Sequence, residues 1–461
     1  MKKVRLDFFR PPAFHSASTE AERRRTSSVS SAPLLVEGTR QPTFCELFYD
    51  LVYFLPLHRL GLRCTSADNA ADYVFYFAAI FNAWVGEAFW HTRFDNDDSL
   101  VHLSTLLCIV GVYGMAAGVV RDASNIFAAS YALVRLVLVL KYARTAVSLP
   151  EARNTCLKFI ACFSVSIALW VLSCAFKGAA QWTCLIAGIL IDYASPFALL
   201  RSMPSIHRTH MPERCSLFVI MVTSVMVLDF LDDQMGSDVI DGIEGLEDFR
   251  DHLKSCQRVM GAVSIPFAFL LLYAFKSRFT LSESPHFSFN DGLLPKLKIY
   301  AFIYHHMPLT CCLGLCAMAI NGFMATCPLV GQAEWGRRIR KRCKYGTNNG
   351  TLYEIEGTTV PPGKFLLFST GALFLFLATH HALCAIANGG EALPKKRIAV
   401  RCVSSGLFFA IAATFDPHTM ACSDVLLSIS IVSILNVLLD RVEVASASSN
   451  ANQALRHPLN E

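Results

Sequence analysis

The stretch Leu106-Leu-Cys-Ile-Val-Gly111-Val-Tyr-Gly-Met115-Ala-Ala lies inside an apolar segment, 99–121, that contains no Asp, Glu or Lys and reaches its only arginine at Arg121. A helix of that length rises about 34 Å, enough to cross a hydrocarbon core of about 30 Å. Such runs recur near 44–62, 72–94, 125–147, 155–176, 178–200, 215–233, 256–275, 297–322, 364–388, 397–415 and 420–439. In lipid each backbone polar group must be satisfied within its own segment, so an open chain crosses as helices. The expected fold class is all-α: a polytopic transmembrane helix bundle of about twelve spans. Composition agrees. The 461 residues are 53% hydrophobic and 17% charged, with a mean hydropathy of +0.41, against about 25% charged in a soluble domain. A cytosolic enzyme, a nucleic-acid binder and a disordered scaffold are excluded.

The remaining bulk numbers bound partners. A net charge of +5 over this length implies no polyanionic partner. Most of the seventeen cysteines are scattered singly in apolar runs, as at Cys108, Cys174 and Cys184, where they read as small hydrophobes. No CxxC spacing occurs, so no structural metal site is expected. Motifs for a phosphate loop, a zinc protease or a serine hydrolase are absent as well, and no cofactor or catalytic residue is assigned.

Residues 1–43 are polar, with eight Lys/Arg against four Asp/Glu, and read as a disordered cytosolic tail. Ser27 and Ser28 follow the basic run Arg23-Arg24-Arg25, where phosphorylation would alter the local charge. Residues 44–439 form the membrane domain, with halves about 44–200 and 213–439, and 440–461 a C-terminal tail. The basic loops Lys141–Lys158, Arg201–Arg214 and Lys276–Lys298 share the tail's side, taken as cytosolic by the positive-inside rule. The acidic segment 232–251, which fails the register of a calcium loop, falls on the opposite side. The loop 323–363 is expected there too, despite its basic run. It holds the sequon Asn349-Gly350-Thr351, with Cys327 and Cys343 flanking the basic residues as a candidate bridge.

The third span aligns without a gap on Leu309-Thr-Cys-Cys-Leu-Gly314-Leu-Cys-Ala-Met318-Ala-Ile of the ninth, matching at Leu, Cys, Gly, Met and Ala. Six spans per half would make this a parallel repeat, an arrangement of many secondary transporters.

An ionisable group at mid-bilayer costs about 2.5–3.5 kcal/mol on insertion scales, so each one inside a span requires an explanation. Glu46 and Asp50 stand four apart on one helix face, with Tyr53 completing the stripe. Trp84, Glu87 and His91 repeat that spacing in the second span; Tyr131 precedes Arg135 in the fourth; Asp192 lies in the sixth; Glu213 and Arg214 open the seventh. Buried carboxylates and histidines of this kind suit a proton or cation path. The structural reading has Arg135 neutralising Glu46, Asp50 or Glu87 in a network that fixes packing. Near span ends, Arg59, Arg93 and Glu213 are expected to reach the interface. Haem between helices is a further alternative, given His305, His306, His380 and His381, although neighbouring residues on a helix point about 100° apart.

These motifs resemble the low temperature requirement A family of multi-pass membrane proteins. The resemblance rests on Glu46-Leu-Phe-Tyr-Asp50-Leu-Val52, on Trp84-Val-Gly86 running into Arg93-Phe-Asp-Asn-Asp-Asp98, and on Tyr131-Ala-Leu-Val-Arg135. It continues through Ile191-Asp192, His210-Met-Pro-Glu213-Arg214 and Tyr304-His-His306-Met-Pro308-Leu309. The family's later Gly-Glu-Ser triplet is replaced here by Ser224-Val225-Met226. The resemblance implies the architecture and a residue list, and no agreed activity.

The functional expectation is a secondary transporter or channel passing a small solute, cation or proton. Glu46, Asp50 and Glu87 are its carboxylates, Arg135 the counter-charge, and His91 or His306 the proton partners. A non-transporting structural, regulatory or lipid-interacting protein is the alternative, and a haem redox protein the third. The loop assignment is tested by expression in a eukaryotic secretory system: an endoglycosidase-sensitive mass shift should appear and vanish in Asn349→Gln. A wild-type chain with no glycan would argue against the lumenal placement.

Overall fold

The computed structural model describes residues 13–14, 43–64, 67–95, 98–120, 124–202, 210–234, 263–273, 293–326, 362–387, 395–414 and 425–440. The helices are α1 (Phe44–Val52), α2 (Phe54–Arg63), α3 (Ala70–Arg93), α4 (Ser99–Val120), α5 (Ser124–Ser148), α6 (Arg153–Ser173), α7 (Ala179–Ala198) and α8 (His210–Gln234). After them come α9 (Val263–Tyr273), α10 (Leu293–Thr326), α11 (Pro362–Ala387), α12 (Lys395–Thr414) and α13 (Val425–Asp440). The sole described strands are two residues each, β1 (Ala13–Phe14) and β2 (Phe94–Asp95), paired antiparallel with Phe14 opposite Phe94. Ser27, Ser28, Asn349, Cys327, Cys343 and the acidic segment beyond Gln234 lie outside the described residues.

A helix therefore occupies each of the twelve expected segments, and seven of them, α4, α5, α6, α8, α10, α11 and α12, are long and apolar enough to span a membrane. The first segment was expected as one helix and is two, hinged at Tyr53. Pro56 explains the break. It offers no N–H to the carbonyl of Val52, four residues back, and its ring crowds that carbonyl. The chain tightens there, with the Tyr53 N–H donating to Asp50 O at 3.2 Å.

α3 is the axis of the bundle. Each residue from Tyr76 to Phe94 is buried, charged ones included. It needs no apolar outer face because α2, α5, α7, α8 and α10 surround it. The outer helices behave oppositely: Leu103, Leu106, Leu107 and Val110 of α4 form an exposed apolar stripe.

Close approach between helices depends on glycine, as at Gly118 and Gly314. A Cβ on Gly118 would stand 2.8 Å from the backbone Cα of Phe127, where α4 turns into α5. One on Gly314 would fall on the ring of Tyr73, where α10 meets α3. At the other end of the chain, Arg401 of α12 is clamped to Asp440 of α13 at 2.6 Å, and Asn436 donates to Ser404 at 3.1 Å.

Forcing a larger residue into a packed interface costs about 1–3 kcal/mol, so Gly118→Val should lower the thermal midpoint of the purified protein by several degrees. Gly406 of α12 has open space around it. Gly406→Ala is the control and should leave the midpoint unchanged or raise it.

Candidate functional site

The charged residues expected to matter gather at the end of the bundle where α1 begins and α3 and α5 finish. Along α3, Asn82 to Arg93 covers about 16 Å at 1.5 Å per residue. The N-terminal part of α3, by contrast, is surrounded by aromatic rings, with Phe75 and Phe127 packed on Trp170 and Tyr76 packed on both of them.

Glu46 starts the site. Thr43 and Glu46 form a reciprocal cap on α1, the Glu46 N–H donating to Thr43 Oγ1 at 3.2 Å and the Thr43 N–H to Glu46 Oε2 at 3.1 Å. This pins a carboxylate at the helix start, where the helix dipole favours negative charge. The same carboxylate lies 3.5 Å from His91 Nδ1 and 3.2 Å from His210 Nε2. His91 then presents its other nitrogen to Glu87 Oε2 at 3.7 Å. Glu87 is completed by Lys141 Nζ at 2.7 Å and by the Cys108 thiol, which donates to Oε1 at 3.3 Å. A continuous acid–imidazole series, His210–Glu46–His91–Glu87–Lys141, results from four helices.

Asp50, one turn after Glu46, faces elsewhere. Trp84 Nε1 donates to Oδ1 at 2.8 Å and Arg214 Nε to Oδ2 at 3.0 Å, with Arg214 Nη2 making a second contact to Oδ1. The pair ties α1 to α8. Trp84 is held in turn by Phe218, with ring centroids 4.5 Å apart. Tyr53 closes the α1 stripe by sharing a 2.6 Å hydrogen bond with Tyr49.

Asp192 takes the counter-charge expected for α1. Arg135 Nε lies 3.2 Å from Asp192 Oδ2, and Tyr131 donates to the same oxygen at 2.6 Å. The Tyr131 hydroxyl also accepts from Arg135 Nε and Nη2 and from Asn82. Asp192 sits one turn before Pro196, which leaves the Asp192 carbonyl without its helical donor; Ser195 Oγ supplies one at 3.1 Å. Arg135 passes close over α3 because Gly86 has no side chain to obstruct its guanidinium.

Several expectations therefore change. Arg135 pairs with Asp192, while Arg214 neutralises Asp50 and Lys141 serves Glu87. Lys141 is buried inside α5, which runs on to Ser148, and does not begin a cytosolic loop. Arg93 does not reach an interface: it is 2% exposed and donates to the hydroxyls of Tyr142 and Tyr300. Arg59 and Glu213 are exposed, as expected for residues near span ends. His306 joins a second cluster, with Nε2 2.9 Å from the Tyr273 hydroxyl and Nδ1 2.9 Å from Phe302 O. His305 and His306 both approach His380, at 5.9 and 5.0 Å between ring centroids. Among the described residues no three His, Cys, Asp or Glu side chains are arranged to hold a metal ion. Val225, in the triplet Ser224-Val225-Met226 that departs from the family resemblance, is buried and apolar.

Removing one member of a buried ion pair strands the other, at about 3–5 kcal/mol, whereas replacing both by apolar groups is often neutral. Asp50→Asn should therefore lower folded yield and thermal midpoint sharply. The double variant Asp50→Leu/Arg214→Met should recover most of the loss in a detergent melting assay. Equal loss in both proteins would deny the pair its role in joining α1 to α8.

The family model described as Bacterial low temperature requirement A protein (LtrA) matches residues 41–439, nearly the whole chain. No curated protein matches it. No solved structure does either. With its family match running from just before the Thr43–Glu46 cap to the last described helix, this membrane protein belongs to the low temperature requirement A family.

Proposed function

We propose that the chain moves a proton through the bundle by way of Glu46, His91 and Glu87, coupled to passage of a small solute or cation. The observation that carries this reading is a single imidazole held between two carboxylates, His91 with Nδ1 toward Glu46 and Nε2 toward Glu87. A proton accepted at Nδ1 from Glu46 is matched by the one released from Nε2 to Glu87. Rotation of the ring then restores the starting tautomer. Both gaps exceed a hydrogen bond by roughly 0.5 Å, so side-chain shifts of that size connect or interrupt the path. His210 supplies the entrance beside Glu46, and Lys141 stabilises the charge on Glu87.

The reading includes twelve crossings in two six-helix halves, with the N-terminal tail in the cytosol and lipid around the outer helices. Packing order supports the halves. The first span packs on the third and the seventh on the ninth, the third on the fourth and the ninth on the tenth, the fourth on the fifth and the tenth on the eleventh. The exposed leucines and valines of α4 support lipid contact.

A second reading is favoured by one observation: Asp50, Asp98, Asp192 and Asp440 each have an arginine within ion-pair distance. On that reading the network holds helices together and nothing crosses. Proteoliposomes carrying an internal pH dye separate the two. After an acid jump, wild-type protein should equilibrate pH faster than protein-free vesicles, and His91→Phe and Glu87→Gln should slow it by about tenfold or more. Wild-type vesicles no faster than empty ones, or folded variants matching wild type, would remove the relay and leave the structural reading.

A further inference from the structure

We propose that the cavity enclosed by α3, α5, α6, α7 and α10 is a binding site for one ordered water, held as a bridge between the Asp192 carboxylate and the Tyr142 hydroxyl. The cavity has room for a single water-sized particle. Asn82 and Arg93 line it from α3, Arg135 and Tyr142 from α5, Asp192 from α7 and Tyr304 from α10. At 100° per residue, Glu87 and His91 fall on another face of α3 from Asn82 and Arg93. The site is therefore separate from the proton relay and does not rest on it.

Two unspent hydrogen-bonding groups border this space. Asp192 is 1% exposed; its Oδ2 is taken by Tyr131 and Arg135, while Oδ1 has no donor. Ser166 of α6 lies beside Asp192 but gives its hydrogen to Gly188 O at 3.1 Å. The buried Tyr142 hydroxyl accepts from Arg93 Nη1 at 3.1 Å, and no described residue accepts the hydrogen it carries. A buried acceptor left without a donor bears its full desolvation penalty. One water answers both groups, donating to Asp192 Oδ1 and accepting from Tyr142. The Tyr304 hydroxyl and the Asn82 amide belong to the same lining, which supplies the two to four polar partners that a buried water uses.

Charge and size select a neutral ligand. The Arg135 guanidinium is already matched by Asp192. An anion in the cavity would confront the remaining carboxylate oxygen, and a cation would confront the guanidiniums of Arg135 and Arg93. Solutes of several heavy atoms exceed the volume. The bridge also joins two clusters, Asp192 with Arg135 and Tyr131, and Tyr142 with Arg93, between which the described residues make no direct hydrogen bond.

The test is a crystal structure of the full-length protein at a resolution that shows ordered water. One peak should stand in the cavity, about 2.6–3.2 Å from both Asp192 Oδ1 and the Tyr142 hydroxyl. Crystals grown in sodium bromide should give no anomalous signal at that position. The double variant Asp192→Leu/Arg135→Met removes the acceptor together with its counter-charge, an exchange often neutral for folding, and the peak should disappear from its map. A wild-type cavity without a peak, a bromide signal inside it, or a peak that persists in the double variant would each overturn the assignment. Should the double variant fail to fold, the two wild-type maps decide alone. None of these outcomes bears on the relay, which is judged by pH equilibration.

Discussion

The polar half of α3 cannot face lipid, and the arrangement of the other helices follows from that. Asn82, Glu87, His91 and Arg93 occur within three turns of one helix, every one of them buried. Unpaired ionisable groups at this depth cost several kcal/mol each. Each must therefore meet a partner delivered by another helix. α1 brings Glu46, α5 brings Tyr131, Lys141 and Tyr142, and α10 brings Tyr300. The apolar stripe of α4 is then free to face outward because the helices behind it have already enclosed the charge.

The helices α1–α8 and α9–α13 meet this constraint by different chemistry. Among α1–α8 the contacts are ionic: Asp50 with Arg214, Glu87 with Lys141, Asp192 with Arg135, Asp98 with Arg144. Among α9–α13, Tyr273, His305, His306 and His380 pack with hydrogen bonds and ring contacts, and the ion pairs Arg397–Asp440 and Arg401–Asp440 lie between the last two helices. Asp50–Arg214 joins α1 to α8, so any relative motion of those two helices loads this pair. His91 differs from the fixed pairs because its imidazole has carboxylates on both sides.

Much of the site could be read along the chain. The three- and four-residue spacing of Glu46, Asp50 and Tyr53, and of Trp84, Glu87 and His91, predicts residues turned toward the bundle interior, and all six are buried. Two local signals were also present: Thr43-x-x-Glu46 is a capping-box pattern, and Pro56 foretells the hinge at Tyr53. Lys141 and Arg93 were obscured for a different reason. Basic residues near the end of an apolar run look the same in sequence whether they enter a loop or turn inward, and only a carboxylate or hydroxyl on a distant helix distinguishes the cases.

The sequence by itself determined that the chain is helical and membrane-embedded, because apolar runs of bilayer length have few other solutions and hydropathy is a local property. It also determined which charges demand an explanation. Only the tertiary structure decided which charge answers which. Helix spacing fixes the face on which a residue lies, but the partner of Asp50 is 164 positions away and that of Arg135 is 57. Electrostatic pairing depends on distances of 3–4 Å between helices, and no periodicity within one helix contains that information.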